Sequence, residues 1–227
     1  MKKDLKLIFK LLKYGPNGKK QFLFMGLFTV IGIVMNLTAE AESVVWGLYL
    51  LLPCSYVVQM IYPLCYSSLY QSSPLKKKTQ TYLPYLVMIP LALILFTLMV
   101  LIHVVAAKHG AAGYTMEEYT AMQSRYILIT GIMAFCMYTY TGICYKYFVG
   151  GMIGLFVIVI PLVFLSQFSK NDPIYNFAAQ SLTRSVVIGY VLIILGCIMS
   201  VVLANLLYKK ELSRLGYRSV MMAAKRA

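Results

Sequence analysis

Six long apolar stretches, at about 21–40, 44–69, 82–107, 126–145, 148–168 and 184–208, decide what this chain can become. Each runs about 20 residues or more, the length at which an α-helix crosses roughly 30 Å of hydrocarbon. A bilayer interior offers no water to unpaired N–H and C=O groups, so a spanning segment must close its own backbone hydrogen bonds, which a helix does. Charged residues make up 12% of the chain, against roughly 25% in an ordinary soluble domain. The expected fold is all-α: a polytopic membrane protein with six transmembrane helices and an N-terminal interfacial amphipathic helix. Residues 1–20 are expected to form the cytoplasmic amphipathic helix and its turn, 21–208 one six-helix transmembrane domain, and 209–227 a basic cytoplasmic tail.

The net charge of +14 would point to nucleic acid in a soluble protein. Its distribution points to a bilayer instead, and no nucleic-acid partner is expected. With six spans and an inside N-terminus, 17 of the 21 lysines and arginines fall on the cytoplasmic side. Lys108, Arg125, Lys170 and Arg184 remain outside, with Glu40, Glu42, Glu117, Glu118 and Asp172. This asymmetry follows the positive-inside rule, so both termini are expected in the cytoplasm of a multi-pass cell-membrane protein.

The opening "MKKDLKLIFKLLKYGPNGKK" has helical periodicity. Leu5, Ile8, Phe9, Leu11 and Leu12 share one arc, while Lys3, Lys6, Lys10 and Lys13 share the opposite one. Lys6, Phe9, Lys10 and Lys13 are therefore candidate contacts to anionic lipid or to a partner. Asp4 falls on the apolar side, at an end from which it can bend away. The turn "GPNGKK" is not a phosphate-binding loop: the spacing G-x-x-x-x-G-K-[ST] is not met and no strand precedes it. The chain is expected to bind no cofactor, and any ATP would have to act on another subunit.

Catalytic chemistry is not expected, and neither is a metal site. Cys54, Cys65, Cys136, Cys144 and Cys197 lie in apolar stretches without a CxxC pair, and read as small packing residues. His103, near the outer end of the third stretch, reads as an interfacial hydrogen-bonding residue. The midspan polar groups Asn36, Gln59, Thr139, Thr141 and Asn205 read as interhelix hydrogen-bonding residues. Asn36, Gln59, Tyr62, Tyr138 and Tyr140 are also candidates for a substrate pathway, because an amphipathic aromatic wall suits an amphipathic substrate. "GGMIG" places Gly150 and Gly154 at the spacing of close helix packing. Thr115, with Glu117 and Glu118 behind it, is expected to cap a short outer helix, and Pro173 to open another.

The segment "SSPLKKKTQTYLPYL", residues 72–86, packs three lysines into a short connection. On residues alone, the lysines pin the loop to the cytoplasm. The segment also resembles the cytoplasmic loop after the second span of type-2 ABC exporter permeases. The layout is similar as well: a basic amphipathic helix, six spans, a helical outer segment before the last span and a basic tail. The resemblance is nearest to the small exporters of bacteriocins and of phenol-soluble-modulin-like peptides in Gram-positive bacteria.

That resemblance implies a permease that pairs with a second copy and rests on a separate cytoplasmic ABC ATPase carrying the ATP and Mg. It implies that Ser73, Pro74, Leu75, Lys76, Lys77, Lys78 and Thr79 couple to the ATPase, with Tyr145, Lys146 and Tyr147 as a second contact. Two other classes fit the length and hydropathy. One is the six-helix substrate-binding component of a vitamin importer, against which the first stretch lacks an AxxxA pair. The other is a non-transporting membrane assembly or immunity protein.

Overall fold

The structure, a computed structural model, describes residues 2–14, 18–38, 43–144, 146–165, 181–211, 213–215 and 217–218. Every regular element among them is helical: α1 (Lys2–Tyr14), α2 (Gly18–Thr38), α3 (Val45–Gln59), α4 (Tyr62–Cys65), α5 (Ser68–Gln71), α6 (Lys76–Thr81), α7 (Tyr85–His109), α8 (Met116–Ile143), α9 (Phe148–Leu165) and α10 (Leu182–Leu206). Among the described residues, four segments are long and apolar enough to cross a membrane: α2, the run of α6 and α7, α8, and α10. α3 and α9 are shorter apolar helices. The expected outer helix at Pro173 lies outside the described residues.

Pro53, Pro90 and Pro161 lie inside α3, α7 and α9, whereas Pro63 and Pro84 lie at or beside helix starts. The second apolar stretch does not run as one helix; α3 stops at Gln59 and α4 resumes at Tyr62. A proline has no N–H, and in a continuous helix its ring would meet the carbonyl four residues back, which for Pro63 is that of Gln59. Pro84, expected inside the third span, instead sits just before α7, where its φ of −60° suits a helix start.

The Thr115 cap forms as expected but opens a longer element. Thr115 Oγ1 accepts from the Glu118 N–H, and the Glu118 carboxylate accepts from the Thr115 N–H, each at 3.2 Å. No proline or glycine follows before Gly131, so the helix continues for 28 residues through the fourth apolar stretch. Arg125, counted above among the outer charges, therefore lies within α8 and is buried.

α8 is the axis of the bundle and packs against α10, α7, α9 and α3. Lipid tails are as apolar as leucine, so helices in a bilayer associate chiefly through close van der Waals contact and interhelix hydrogen bonds. α10 meets α8 with a stripe of small buried residues: Ser185, Gly189, Gly196, Ser200 and Ala204. A Cβ added to Gly142 would stand 2.5 Å from the Ser200 carbonyl oxygen, and one on Gly196 would stand 3.0 Å from Phe135 Cα. Thr141 and Ser200 hydroxyls bond across the same seam at 2.9 Å.

Gly150 and Gly154, read above as a close-packing pair, play no such part among the described residues. Both are exposed and would find nothing within 4 Å of an added Cβ.

Candidate functional site at the α6 end of the bundle

The basic connection folds into a short helix fixed from several sides. Its chain reversal begins at Ser73, whose hydroxyl accepts from the Leu75 N–H at 3.2 Å. Thr79 and Thr81 turn their hydroxyls back onto the carbonyls of Leu75 and Lys77, at 2.9 and 2.8 Å. The Tyr70 hydroxyl of the preceding segment bonds the Thr79 hydroxyl at 2.5 Å. The Gln71 amide donates to the Cys65 carbonyl, tying α5 to α4. Thr79, Gln80 and Thr81 are buried, whereas Pro74, Leu75 and Lys77 are exposed. Burial thus falls on the second half of α6, while its basic first half and the turn before it stay partly or fully exposed.

α1 clasps this helix. Ile8 and Leu12 are buried in a second apolar cluster with Val57, Met60, Ile61, Cys65 and Leu83, where α3 ends and α7 begins. Asp4 does not bend away: its carboxylate accepts from Lys78 Nζ at 2.6 Å. The carboxylate on the apolar arc is therefore a docking group for the lysine segment, and that hydrogen bond holds its pKa below the usual value. On the outer arc Lys6, Lys10 and Lys13 are exposed, and Phe9 is 57% exposed.

Lys146 is the third anchor. It is 6% exposed and donates to the carbonyls of Lys210 at 2.6 Å and Tyr208 at 3.2 Å, just past the end of α10. Burial, and then the charge of Lys76, push its pKa down to about 8. Of the expected second contact, Lys146 faces inward and Tyr147 is exposed, while Tyr145 lies outside the described residues. Tyr66 and Tyr217 meet edge to face nearby, with ring centroids 5.6 Å apart.

No known protein family, curated protein or solved structure matches the chain.

The candidate pathway residues are dispersed. Gln59 is half-buried at the end of α3, and the Tyr62 side chain lies outside the described residues. Tyr138 is fully buried and donates to the Leu51 carbonyl at 3.5 Å. Tyr140 packs where an added Cβ on Gly151 would come within 2.9 Å of its ring. Asn36 bonds Tyr126, which precedes Tyr138 by twelve residues, about 18 Å along α8.

Asn36 belongs to a buried cluster that the sequence reading missed. His103 is 1% exposed, with Nε2 3.0 Å from Asn36 Oδ1 and Nδ1 2.5 Å from Gln123 Oε1. Tyr126 donates to Asn36 Oδ1 at 2.8 Å, and its ring centroid lies 4.0 Å from the imidazole. The available signal was the spacing of Gln123 and Tyr126, three apart and thus on one face of α8.

The clasp yields a direct expectation. Asp4→Asn removes one charge from the ion pair with Lys78 and leaves the apolar contacts of Ile8 and Leu12 in place. Amide hydrogen exchange in residues 2–14 should accelerate, as it should for the unaltered protein at high salt, where exposed charge pairs are screened. Unchanged exchange in Asp4→Asn would show that the apolar contacts alone hold α1. The carboxylate's pKa is lowered, so the clasp is fully present above the ordinary aspartate value and is lost only as pH falls through the lower folded one.

Proposed function

We propose that the chain is the membrane-embedded permease subunit of an ATP-driven exporter. In this reading the bundle crosses the membrane six times, α3 with α4 making the second crossing and α9 the fifth. Both ends of the chain and α6 lie in the cytoplasm. The outward face of α6 docks on a separate ATPase that carries ATP and Mg, and two permease copies form the complex. Amphipathic or hydrophobic peptides are the cargo class.

The observation that carries the reading is the mounting of α6. A six-residue basic helix is covered over its second half, joined to α7 across three residues and packed against α10. Such a segment moves with the spans it joins, so a partner that pushes on it would tilt α7 rather than bend a loose loop. The lysines at α6, Lys146 and the basic segment after α10 share this end, which supports placing it inside.

The test is purification of the tagged chain from its native host in mild detergent, with mass spectrometry and an ATP-hydrolysis assay. A stoichiometric soluble ATPase is expected. The combined substitutions Lys76→Glu, Lys77→Glu and Lys78→Glu should leave the chain inserted and remove that ATPase. A lone chain without hydrolysis, under conditions that preserve other membrane complexes, overturns the reading. Undiminished copurification by the triple variant overturns the role of α6.

A further inference from the structure

We propose that His103 is a proton-binding site at the junction of α2, α7 and α8, in which proton uptake turns the Gln123 amide. Asn36 sets the tautomer. Its Nδ2 donates to the Gly32 carbonyl at 2.6 Å, an oxygen that can only accept, so the amide cannot be reversed. Oδ1 is thereby directed at Tyr126 and at His103 Nε2, at 2.8 and 3.0 Å. The nitrogen facing that oxygen must carry a hydrogen. The neutral imidazole is then the Nε2–H tautomer, with a bare lone pair on Nδ1.

Gln123 decides the rest. With its oxygen 2.5 Å from Nδ1, the pair is satisfied only if Nδ1 also bears a proton, which makes the ring an imidazolium between two amide oxygens. With the amide rotated by half a turn, Nε2 of Gln123 donates to a neutral Nδ1. The two nitrogen and oxygen ends occupy nearly the same space, so the turn needs no backbone movement. With the oxygen toward His103, Gln123 Nε2 has no partner among the described residues, and it is buried with the rest of a side chain that is 0% exposed. Each protonation state thus has its own amide orientation, and a proton gained at Nδ1 exchanges one for the other.

The groups that face His103 among the described residues are neutral. α2 supplies the Asn36 amide, and α8 supplies the Gln123 amide and the Tyr126 phenol. On α8 the charged Arg125 is two residues from Gln123, about 200° around the helix, and Glu117 and Glu118 lie six and five residues before Gln123 in the first turn. The charges of α2, Lys19 and Lys20, lie at its far end from Asn36. Of the other helices packed on α7, α3 contains no charged residue, and α10 contains only Arg184, in its first turn. On α7 itself, Lys108 and His109 lie five and six residues on, within about 9 Å of rise. The site does not depend on whether α6 meets an ATPase.

The chain has two histidines, which makes the test direct. His109 is exposed, and His109→Gln leaves His103 as the single imidazole. In the full-length His109→Gln chain, reconstituted in lipid nanodiscs with isotope-labelled histidine, ring nitrogen shifts are followed from about pH 2 to pH 8. The expected result is an Nε2–H neutral ring that converts to imidazolium, with a midpoint about 1 pH unit lower in Gln123→Met, which cannot accept from Nδ1–H. Gln123→Glu, nearly the same shape, should raise the midpoint, and it serves if the methionine variant does not fold. A ring that stays in one state throughout, an Nδ1–H neutral tautomer, or a midpoint indifferent to both substitutions overturns the proposal.

Discussion

Gly142→Leu is expected to cost about 3 kcal/mol or more, and to lower the thermal midpoint of the detergent-purified chain or abolish its yield. The reason is the kind of atom it would meet. A Cβ there would stand 2.5 Å from the Ser200 carbonyl oxygen and 2.8 Å from Ser200 Cα, both backbone atoms of the facing helix. A side chain can rotate aside, but a helix backbone moves only with its neighbours, so α8 and α10 must separate. Separation would also break the Thr141–Ser200 bond and expose the small faces of both helices. Gly154→Leu is the control, since an added Cβ meets nothing within 4 Å, and it should stay within about 0.5 kcal/mol. Thermal unfolding of both variants decides the matter, and equal losses would mean that the α8–α10 seam is not the tight contact of the bundle.

The second large effect is expected at Lys146. Lys146→Met leaves the Tyr208 and Lys210 carbonyls without the donor they share and should destabilise the chain by about 1–3 kcal/mol near neutral pH. The pH dependence carries its own signature. The folded-state pKa is lowered to about 8, below the ordinary lysine value of about 10.4, so between those values the unfolded chain holds the extra proton. Stability contributed by this group therefore rises with pH across that window, on the order of 1–3 kcal/mol in total. Two conditions suffice: the native chain and Lys146→Met are each unfolded at about pH 7.5 and at about pH 9.5, on either side of the lowered value. The native chain should gain relative to the variant, and parallel changes would show that Lys146 titrates as though exposed.

How much was legible in the sequence depends on the range of the interaction. The helical class, the amphipathic α1 and the Thr115 cap are local properties, set by residue spacing within a few turns. The end of α3 was also within reach, since Pro63 marks Gln59 four residues back, but a run of apolar residues conceals a break that only the proline reports. The small-residue seam was misplaced because a spacing of four, as at Gly150 and Gly154, is the familiar sign of close helix packing. The working glycines lie eleven apart on α8, Gly131 and Gly142, and seven apart on α10, Gly189 and Gly196, spacings that also return to one helix face. The Asp4–Lys78 pair and the His103–Asn36 bond join residues 74 and 67 positions apart, and no pattern along the chain predicts such meetings. Asp4 carried the one hint, a carboxylate on the wrong arc of its helix.

The central place of α8 has a consequence for how the protein is made. Of the four segments able to cross a membrane, α8 has the lowest mean hydropathy, yet it buries Gln123, Ser124, Arg125, Thr130 and Thr141. Its main partner, α10, begins only at Leu182, whereas α8 ends at Ile143. At about 5–20 residues per second, a ribosome needs roughly 2–8 s to deliver the intervening chain. During that interval the glycine face of α8 has no helix to cover it, and the earlier α3 and α7 must hold it in the bilayer. A nascent chain cut off before Leu182 therefore leaves that seam unclosed.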